Sequence, residues 1–482
     1  MDLSNGQSII SPTSPLVARI RAQKVDSRST KGLPTFYRNL EEALDIRRSS
    51  QSLCPIVQNS WQVGDAVDFC SNDILSLSAS GALRAAFLAE LSGHPNFNTG
   101  SGGSRLIDGN YPYLEEAELE IAGFHGAESG LILGSGFDAN IAIWTAIPRP
   151  GDVILYDSLV HASTHEGINQ SLAMQKVEFK HNDAESFREA LLSILKTQPL
   201  VKQGRRSVIV AVESVYSMDG DVCPLRELVD ISKELFDQQG NIQFVVDEAH
   251  STGIIGPKGS GLVCELGLEK EIALRVHTYG KAMGGSGAII LGNKTTKAAL
   301  VNLARSIVFT TAPSFPFVAS IRASYALLRR GETQQAQERV QSLVRLFFEA
   351  VTSHPLWHQA RNRGLLSVPL TEGWESRPFV THIATLWTRQ RYLYPLYFHI
   401  LSSSYCVFPV GPPAVPLGQS RLKVTFHASN TEEQVQGLTH AIFEWAQEVM
   451  AIEDGTTDKG LSRAAETVYN WMRAEGLSGF GM

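Results

Sequence analysis

Residues 244–250 read FVVDEAH, a short apolar run that ends abruptly in an acid and a histidine. Similar apolar runs end at Asp157 and at Glu213. Longer mixed segments that are typical of helices lie between the runs, among them residues 184–195 and 225–236. Short strands that alternate with helices indicate right-handed crossovers and a mostly parallel sheet with helices on both faces. We therefore predict an α/β fold whose ligand site lies at the carboxyl ends of the strands.

A lysine in a glycine-rich loop follows in residues 277–287, HTYGKAMGGSG, just before another apolar run. An acid at a strand end and a lysine in a tight loop suit a pyridoxal phosphate enzyme. The lysine forms a Schiff base with the cofactor, and the acid keeps the pyridine nitrogen protonated. A buried carboxylate is costly unless it is paired, and a protonated pyridine offsets that cost. The sequence thus predicts Lys281 and Asp247 as the centre of the site.

Three further segments supply groups for the same site. The glycine-rich turn in residues 134–140 precedes an apolar stretch, and such a turn at a helix start binds anions, although it also occurs at ordinary helix starts. His161 follows a strand end, where an imidazole either stacks on the cofactor and handles protons or is simply hydrogen-bonded within the fold. Residues 213–220 contain a hydroxyl just past the next strand, and this hydroxyl and His250 are candidates for contact with the phenolic oxygen of the cofactor.

The composition limits the class of protein. The 482 residues are 43% hydrophobic and 19% charged, which suits a globular protein of two or three domains. A net charge of −7 does not indicate a nucleic-acid-binding protein, which would normally carry an excess of basic residues. Five scattered cysteines without a Cys-x-x-Cys pair favour a reducing compartment and argue against a disulfide framework or a metal site. No apolar run approaches the roughly 18 residues of a membrane span.

The first 31 residues are rich in serine and basic residues, which weakly resembles an organelle transit peptide. A solvated tail is the simpler interpretation. We therefore expect a cytoplasmic protein, with a mitochondrial location as the alternative.

The chain divides into four predicted regions. They are an N-terminal tail and arm (1–68), a large cofactor-binding domain (69–314), a smaller α+β domain (315–452) and a C-terminal tail (453–482). The predicted elements of the smaller domain and the tail are helices over 335–352, 431–450 and 462–474 and strands over 379–386, 406–410 and 421–426. Asn430 is expected to cap the helix over 431–450.

Together these segments resemble the α-oxoamine synthases, a family that includes 8-amino-7-oxononanoate synthase, 2-amino-3-ketobutyrate ligase, 5-aminolevulinate synthase and serine palmitoyltransferase. The matching runs are residues 70–75, 100–106, 135–137, 157–163, 216–221, 247–253 and 278–287. The resemblance implies a fold-type I enzyme that is a homodimer with active sites at the subunit interface. It implies condensation of an amino acid with an acyl thioester, with loss of the amino acid's carboxylate as CO2.

The resemblance also implies roles for the residues around the cofactor ring. Lys281 would carry the cofactor and remove the Cα proton of the substrate. His161 would stack on the ring and Asp247 would pair with the pyridine nitrogen. Ser217 and His250 would contact the phenolic oxygen.

A second group of implied roles concerns the phosphate and the substrate. The residues that would hold the phosphate are Gly136, Phe137 and Thr278, with Thr310 reaching the phosphate of the neighbouring subunit. Ser135, just before them, is a further cofactor-binding candidate. Asn72 would lie near the substrate.

The chain departs from the family pattern at three positions. Lys423 stands where the family has the arginine that binds the substrate carboxylate, and lysine offers a point charge in place of a bidentate fork. Arg421, two residues away on the same face of a strand, is the alternative. Gly411 and Leu114 stand where relatives carry an arginine and a histidine. The absence of this arginine and histidine disfavours a charged acyl chain such as pimeloyl and favours a longer or more apolar one.

Two other functions stay open at the level of sequence. An aminotransferase or amino-acid lyase on the same fold would share Lys281 and Asp247 but not the whole motif series. A catalytically silent partner subunit is disfavoured because Lys281, Asp247 and His161 are all present. The sequence leaves open whether the amino acid is alanine, glycine or serine, and whether the acyl carrier is coenzyme A or a carrier protein.

Overall fold

A computed structural model describes residues 9–11, 14–25, 32–62, 64, 66–236, 240–412 and 414–480. The chain forms two compact units. We call residues 72–340 the central-sheet unit, and residues up to 71 together with those from 341 onward the composite unit. Much of the segment that resembles a transit peptide lies outside the described residues, and so does Pro413.

The helices and strands are numbered along the chain. The α-helices are α1 (Pro15–Ala22), α2 (Thr35–Ser49), α3 (Ala82–Ser92), α4 (Pro112–Phe124), α5 (Gly136–Ala146), α6 (Ala162–Asn169), α7 (Ala184–Thr197), α8 (Pro199–Lys202), α9 (Leu225–Phe236), α10 (Leu262–Glu265), α11 (Lys294–Leu303), α12 (Arg305–Val308), α13 (Phe315–Arg330), α14 (Gln334–Thr352), α15 (Trp357–Asn362), α16 (Leu393–Ser402), α17 (Glu432–Glu453) and α18 (Arg463–Ala474). The strands are β1 (Val67–Asp68), β2 (Ser129–Leu133), β3 (Val153–Asp157), β4 (Gln175–Phe179), β5 (Val208–Glu213), β6 (Ile242–Asp247), β7 (Ile272–Thr278), β8 (Ala288–Gly292), β9 (Ile383–Leu386), β10 (Tyr405–Cys406), β11 (Phe408–Val410) and β12 (Arg421–Thr425).

A seven-stranded sheet forms the core of the central-sheet unit, in the order β2-β8-β7-β6-β5-β3-β4. Strand β8 runs antiparallel to both of its neighbours, and the other neighbouring pairs are parallel. Glu213 and Asp247 are register partners at the ends of β5 and β6. The mostly parallel α/β fold is therefore confirmed, and the polar strand ends do meet at one edge of the sheet.

Helices cover both faces of this sheet, as predicted. Val208 and Val210 of β5 pack in an apolar cluster with residues of α7 and α9. Ile209 and Ala211, which point the other way, pack in a second cluster with residues of α5. Because both faces are buried, these strands read as continuous apolar runs and do not alternate with polar residues.

Helix α13 belongs to the central-sheet unit. Its residues Phe315, Val318 and Leu328 pack in one cluster with Leu114 and Ile121 of α4. The sequence-based division assigned residues 315–340 to the smaller domain, so the compact units and the predicted domains differ here. The apolar face of α13 gives no sign in the sequence of which core it joins.

The composite unit contains an antiparallel sheet β11-β12-β9 and a parallel pair β1-β10. The predicted strand over 406–410 is wrong as a single strand, because β10 pairs with β1 and β11 pairs with β12. The predicted strand over 379–386 begins only at Ile383. The reason is that both backbone groups of Val380 bond to the side-chain amide of Gln341, at 2.8 and 2.7 Å, and are not available for strand pairing.

The predicted cap of α17 is wrong by one residue. Thr431 is the N-cap: its Oγ1 accepts from the N–H of Gln434 at 3.2 Å, and Oε1 of Gln434 accepts from the N–H of Thr431 at 3.0 Å. Asn430 instead accepts from the N–H of His427 and donates to the carbonyl of Asp68. Two adjacent polar residues both suit a cap, and the capping box with Gln434 decides between them.

Within the described ranges, no helix combines the length and the apolar character that a bilayer crossing requires.

Candidate active site

A cavity of about 340 Å³ opens at the carboxyl ends of the parallel strands of the central-sheet unit. The predicted site residues that line it are Asn72, Ser135, Gly136, Phe137, His161, Ser217, Asp247, His250, Thr278 and Lys281. They come from segments far apart in the sequence, and the sheet brings them together because parallel strands end at a common edge.

Lys281 lies in the loop that joins β7 to β8. The N–H of Tyr279 donates to the carbonyl of Gly287 at 2.9 Å, and the N–H of Gly285 donates to the carbonyl of Tyr279 at 2.8 Å. Gly287 has a φ of +96°, a conformation that favours glycine, and a β-carbon there would lie 2.5 Å from Cζ of Phe317. The glycines around Lys281 therefore allow the short, tightly packed loop.

The surroundings of Lys281 shift the pKa of its amine. Burial lowers the pKa of Lys281, while the negative charges of Asp247 and Glu213 act in the opposite direction. Burial, followed by the charge of Asp247, raises the pKa of Glu213 well above its ordinary value. A lysine with a lowered pKa is more often in its neutral form, which is the form that acts as a nucleophile or accepts a proton.

Asp247 ends β6 and is 8% exposed. Its Oδ1 accepts from the N–H of Ala249 at 2.9 Å, and its Oδ2 accepts from Nδ2 of Asn140 at 2.9 Å. Two donors hold the carboxylate in place, and they leave acceptor capacity for a protonated nitrogen in the cavity.

His161 caps the start of α6 and faces the cavity. The backbone N–H of His161 donates to the carboxylate of Glu213. The centre of its ring lies 6.4 Å from that of the Phe137 ring, in an edge-on arrangement. Partial desolvation by the surrounding protein lowers the pKa of His161, and the charge of Asp247 opposes this effect. The backbone hydrogen bond thus fixes His161 at the cavity wall, where its ring can pack against a planar ligand.

The start of α5 and the end of β7 lie together at the cavity, in an arrangement suited to an anion. Oγ of Ser135 caps the helix by accepting from the N–H of Asp138 at 3.1 Å. The N–H groups of Gly136 and Phe137 lie in the first turn, where a helix has no internal acceptors. A β-carbon at Gly136 would overlap Cγ2 of Thr278, so only glycine permits this approach.

These groups fit pyridoxal phosphate. Oγ1 of Thr278 is buried and has no hydrogen-bond partner among the described residues, although it lines the cavity beside the start of α5. A buried hydroxyl of this kind is costly unless a ligand completes its bonding. With the helix start for a phosphate, Lys281 for an aldehyde and Asp247 for a pyridine nitrogen, the donor set matches the cofactor group by group.

Three of the predicted site residues do not line this cavity. Thr310 is exposed and lines a second cavity of about 520 Å³ in the same unit. Lys423 and Arg421 lie on β12 in the composite unit. The guanidinium carbon of Arg421 lies 3.9 Å from the centre of the Trp387 ring, and the side chain is buried. Leu114 is fully buried in the core against α13.

The sequence reasoning gave no role to Asn140, Ser163 or Glu213, all of which line the cavity. Each lay inside a quoted motif, and Glu213 marked a strand end. The available signals were the amide of Asn140 and the acid of Glu213 at a strand end. Neither signal indicates that these side chains meet residues far away in the sequence.

Comparison with known proteins places the chain in a family. The family model "Aminotransferase class I and II" matches residues 64–442. Aminoacyl transferase sphA from Aspergillus fumigatus is 52% identical over 461 residues, which cover 96% of this chain and 98% of the relative. The 8-amino-7-oxononanoate synthase of Emericella nidulans is 44% identical over 416 residues, which cover 85% and 95%.

Among solved structures, the serine palmitoyltransferase of Sphingomonas wittichii superposes with a TM-score of 0.66 at 24% identity, covering 79% of this chain and 87% of that one. This likeness supports the fold. The motifs, the cavity and the relatives agree, and the chain therefore belongs to the class I and II aminotransferase family as a pyridoxal-phosphate-dependent α-oxoamine synthase.

Proposed function

We propose that this enzyme joins a small amino acid (alanine, glycine or serine) to an acyl thioester, releasing CO2 and a free thiol and leaving an α-amino ketone. The observation that carries the proposal is the position of Lys281 in one cavity with Asp247, His161 and the anion site at Gly136. Pyridoxal phosphate, when bound, supplies a ring that withdraws electrons from the α-carbon of the amino acid.

Lys281 would hold the cofactor covalently through its amine. Since burial favours its neutral form, the amine is suited to this bond and, once the substrate has displaced it, to taking the Cα proton. The neighbouring carboxyl of Glu213, whose pKa is raised, is a further group that can exchange protons inside the cavity.

The other cavity residues would bind and orient the cofactor. Asp247 would hold the proton on the ring nitrogen, and His161 would pack against the ring. Ser217 and His250 would contact the phenolic oxygen. These assignments rest on the lining of the cavity and on the resemblance to the family.

The phosphate would be bound by the helix start and by Thr278. The first-turn N–H groups of Gly136 and Phe137 and the unpartnered Oγ1 of Thr278 support this assignment, whereas the hydroxyl of Ser135 is used as the helix cap. Asn72, exposed on the cavity lining, would contact the substrate.

The substrate carboxylate would be bound by Lys423 in preference to Arg421. Arg421 is buried with its guanidinium against Trp387 and donates from Nε to the carbonyl of Gln419 at 2.9 Å. Lys423 has a more exposed side chain at the next position on the same face of β12.

The acyl group would be apolar. Gly411 and the buried Leu114 leave out the charged side chains that relatives carry at these positions, so a second carboxylate on the acyl chain would lack partners. Two of the relatives are named aminoacyl transferase, which supports a group-transfer reaction.

The enzyme would be a cytoplasmic homodimer with shared sites. Thr310 is exposed outside the cavity, which suits a residue that serves the phosphate of a second subunit. All five cysteines are free thiols, which suits a reducing compartment.

The proposal is tested with the purified protein loaded with pyridoxal phosphate. Borohydride reduction followed by peptide mapping should place the cofactor on Lys281, and Lys281→Ala should abolish the label. Carboxyl-labelled alanine, glycine and serine, each with a series of acyl-CoA chain lengths, should release labelled CO2 only when a thioester is present. Keto-acid formation without thioester would instead identify an aminotransferase, and cofactor binding without any turnover would identify a silent subunit.

A further inference from the structure

A chain of hydrogen bonds along the cavity wall joins Asp247 to His161. Nδ2 of Asn140 lies 2.9 Å from Oδ2 of Asp247 and 2.9 Å from Oγ of Ser163. Oγ of Ser163 lies 2.7 Å from Nδ1 of His161. Two cavity residues from different segments, to which the proposed function gives contacts with the cofactor ring, are therefore connected through Asn140 and Ser163.

The direction of every bond in this chain follows from the donors. A carboxylate only accepts, so the amide nitrogen of Asn140 faces Asp247 and its second hydrogen points to Ser163. The backbone N–H of Ser163 donates to Nδ1 of His161 at 3.2 Å, so Nδ1 carries no proton. The hydroxyl of Ser163 therefore accepts from Asn140 and donates to Nδ1.

The geometry is held rigidly. Asn140 is 2% exposed and Ser163 is fully buried. They lie on α5 and at the start of α6, and these helices pack so closely that a β-carbon at Gly167 would lie 2.8 Å from Cβ of Trp144. Turning either side chain away would leave a buried polar group without its hydrogen bond.

We propose that Asn140 and Ser163 are positioning residues that hold His161 as a neutral imidazole with its proton on Nε2. In this state His161 offers the cavity a hydrogen-bond donor and a flat ring, and it takes up a second proton only by losing the bond from Ser163. His161 therefore orients the bound reactants and does not act as the base, a task left to Lys281. The inference rests on the proposed function for the identity of the reactants. The hydrogen-bond relay, by which we mean the bonds from Asp247 through Asn140 and Ser163 to His161, is a property of this chain alone.

The test is a nuclear magnetic resonance measurement on the full-length holoenzyme labelled with 15N-histidine, with His161 assigned by comparison with His161→Asn. The expected result is a bare Nδ1 and a protonated Nε2 at neutral pH. Asn140→Leu, which does not touch His161, should shift the Nδ1 resonance, and this shift should vanish in a Ser163→Ala background. Ser163→Thr, which keeps the hydroxyl, should restore the wild-type resonance lost in Ser163→Ala.

Asn241→Leu is the matched control, because Asn241 is also buried and donates to two carbonyls at 2.9 Å but does not line the cavity. It should leave the His161 resonances unchanged. A protonated Nδ1 in the wild type, or an Asn140→Leu shift of equal size with and without Ser163, would overturn the relay. Should Asn140→Leu fail to fold, the Ser163→Ala and Ser163→Thr pair decides alone. Failure of the proposed function would appear differently, as absent turnover with these resonances intact.

Discussion

Nδ1 of His181 lies 2.9 Å from Oδ1 of Asp157, at the edge of the sheet where the cavity opens. Its other nitrogen, Nε2, lies 2.6 Å from Oδ2 of Asp221. Asp157 ends β3, whose following loop carries His161, while Asp221 lies in the loop after β5 that carries Ser217. The imidazole thus connects two loops that line the cavity.

We predict that this contact stabilises the protein at neutral pH and ceases to do so in alkali. Burial disfavours the charged ring, but the two carboxylates outweigh it and raise the pKa of His181 to about 10. Since the pKa in the unfolded chain is about 6.5, the contribution is complete below that value and is lost as the pH rises through about 10. His181→Leu should therefore lower the free energy of unfolding at pH 7 by about 2 kcal/mol, a figure discounted for partial solvent contact.

Urea unfolding at pH 7 and at pH 10.5 measures the effect. The difference between wild type and variant should be clear at pH 7 and should largely close at pH 10.5. A difference that is the same at both values would show that His181 acts through packing and not through its charge.

Gly136→Ala should weaken cofactor binding. A β-carbon at this position overlaps Cγ2 of Thr278, and such overpacking costs about 1–3 kcal/mol. We expect about a tenfold or larger loss of affinity for pyridoxal phosphate, measured by titration of the apoprotein. Gly123→Ala, in a helix where the new methyl group meets open space, should bind the cofactor normally.

Asp247→Asn should preserve the fold and remove most of the activity. The neutral amide cannot hold a proton on the ring nitrogen. Its nitrogen is a donor, and it would face one of the two donors, Asn140 or Ala249, that the carboxylate accepts from. Turnover should fall on the order of a hundredfold or more, with an unchanged circular dichroism spectrum. Asp230→Asn, at an exposed position on α9, serves as the control, and near-wild-type turnover in Asp247→Asn would refute the role given to this acid.

Lys423→Ala and Arg421→Ala should separate substrate binding from stability. Loss of the Lys423 charge should raise the apparent KM for the amino acid by about tenfold and leave that for the thioester nearly unchanged. Arg421→Ala removes a buried guanidinium from the face of Trp387, so it should lower the Tm without a comparable change in KM. If the KM for the thioester alone moves in Lys423→Ala, the carboxylate is bound elsewhere.

The parts of the site that could be predicted from the sequence are those with a local signature. Asp247 and Glu213 follow buried apolar runs, and Lys281 lies among glycines, so strand ends and a loop were readable. The bond between Asn140 and Asp247 joins positions 107 residues apart, and nothing near either residue indicates the other. The break between β10 and β11 was not predicted for the same reason, since it depends on which distant strand each segment pairs with. The unit that α13 joins likewise depends on its packing against α4.

The antiparallel turn from β7 into β8 has a consequence for the order of folding. Its strands are neighbours in the sequence, so the loop that carries Lys281 forms from local contacts, as hairpins do. The strands that carry His161 and Asp247 pair in parallel, through long crossovers that close more slowly. When the complete chain refolds, the loop that carries Lys281 would thus form before the parallel strands close the pocket around it, and capture of the cofactor would follow that closure.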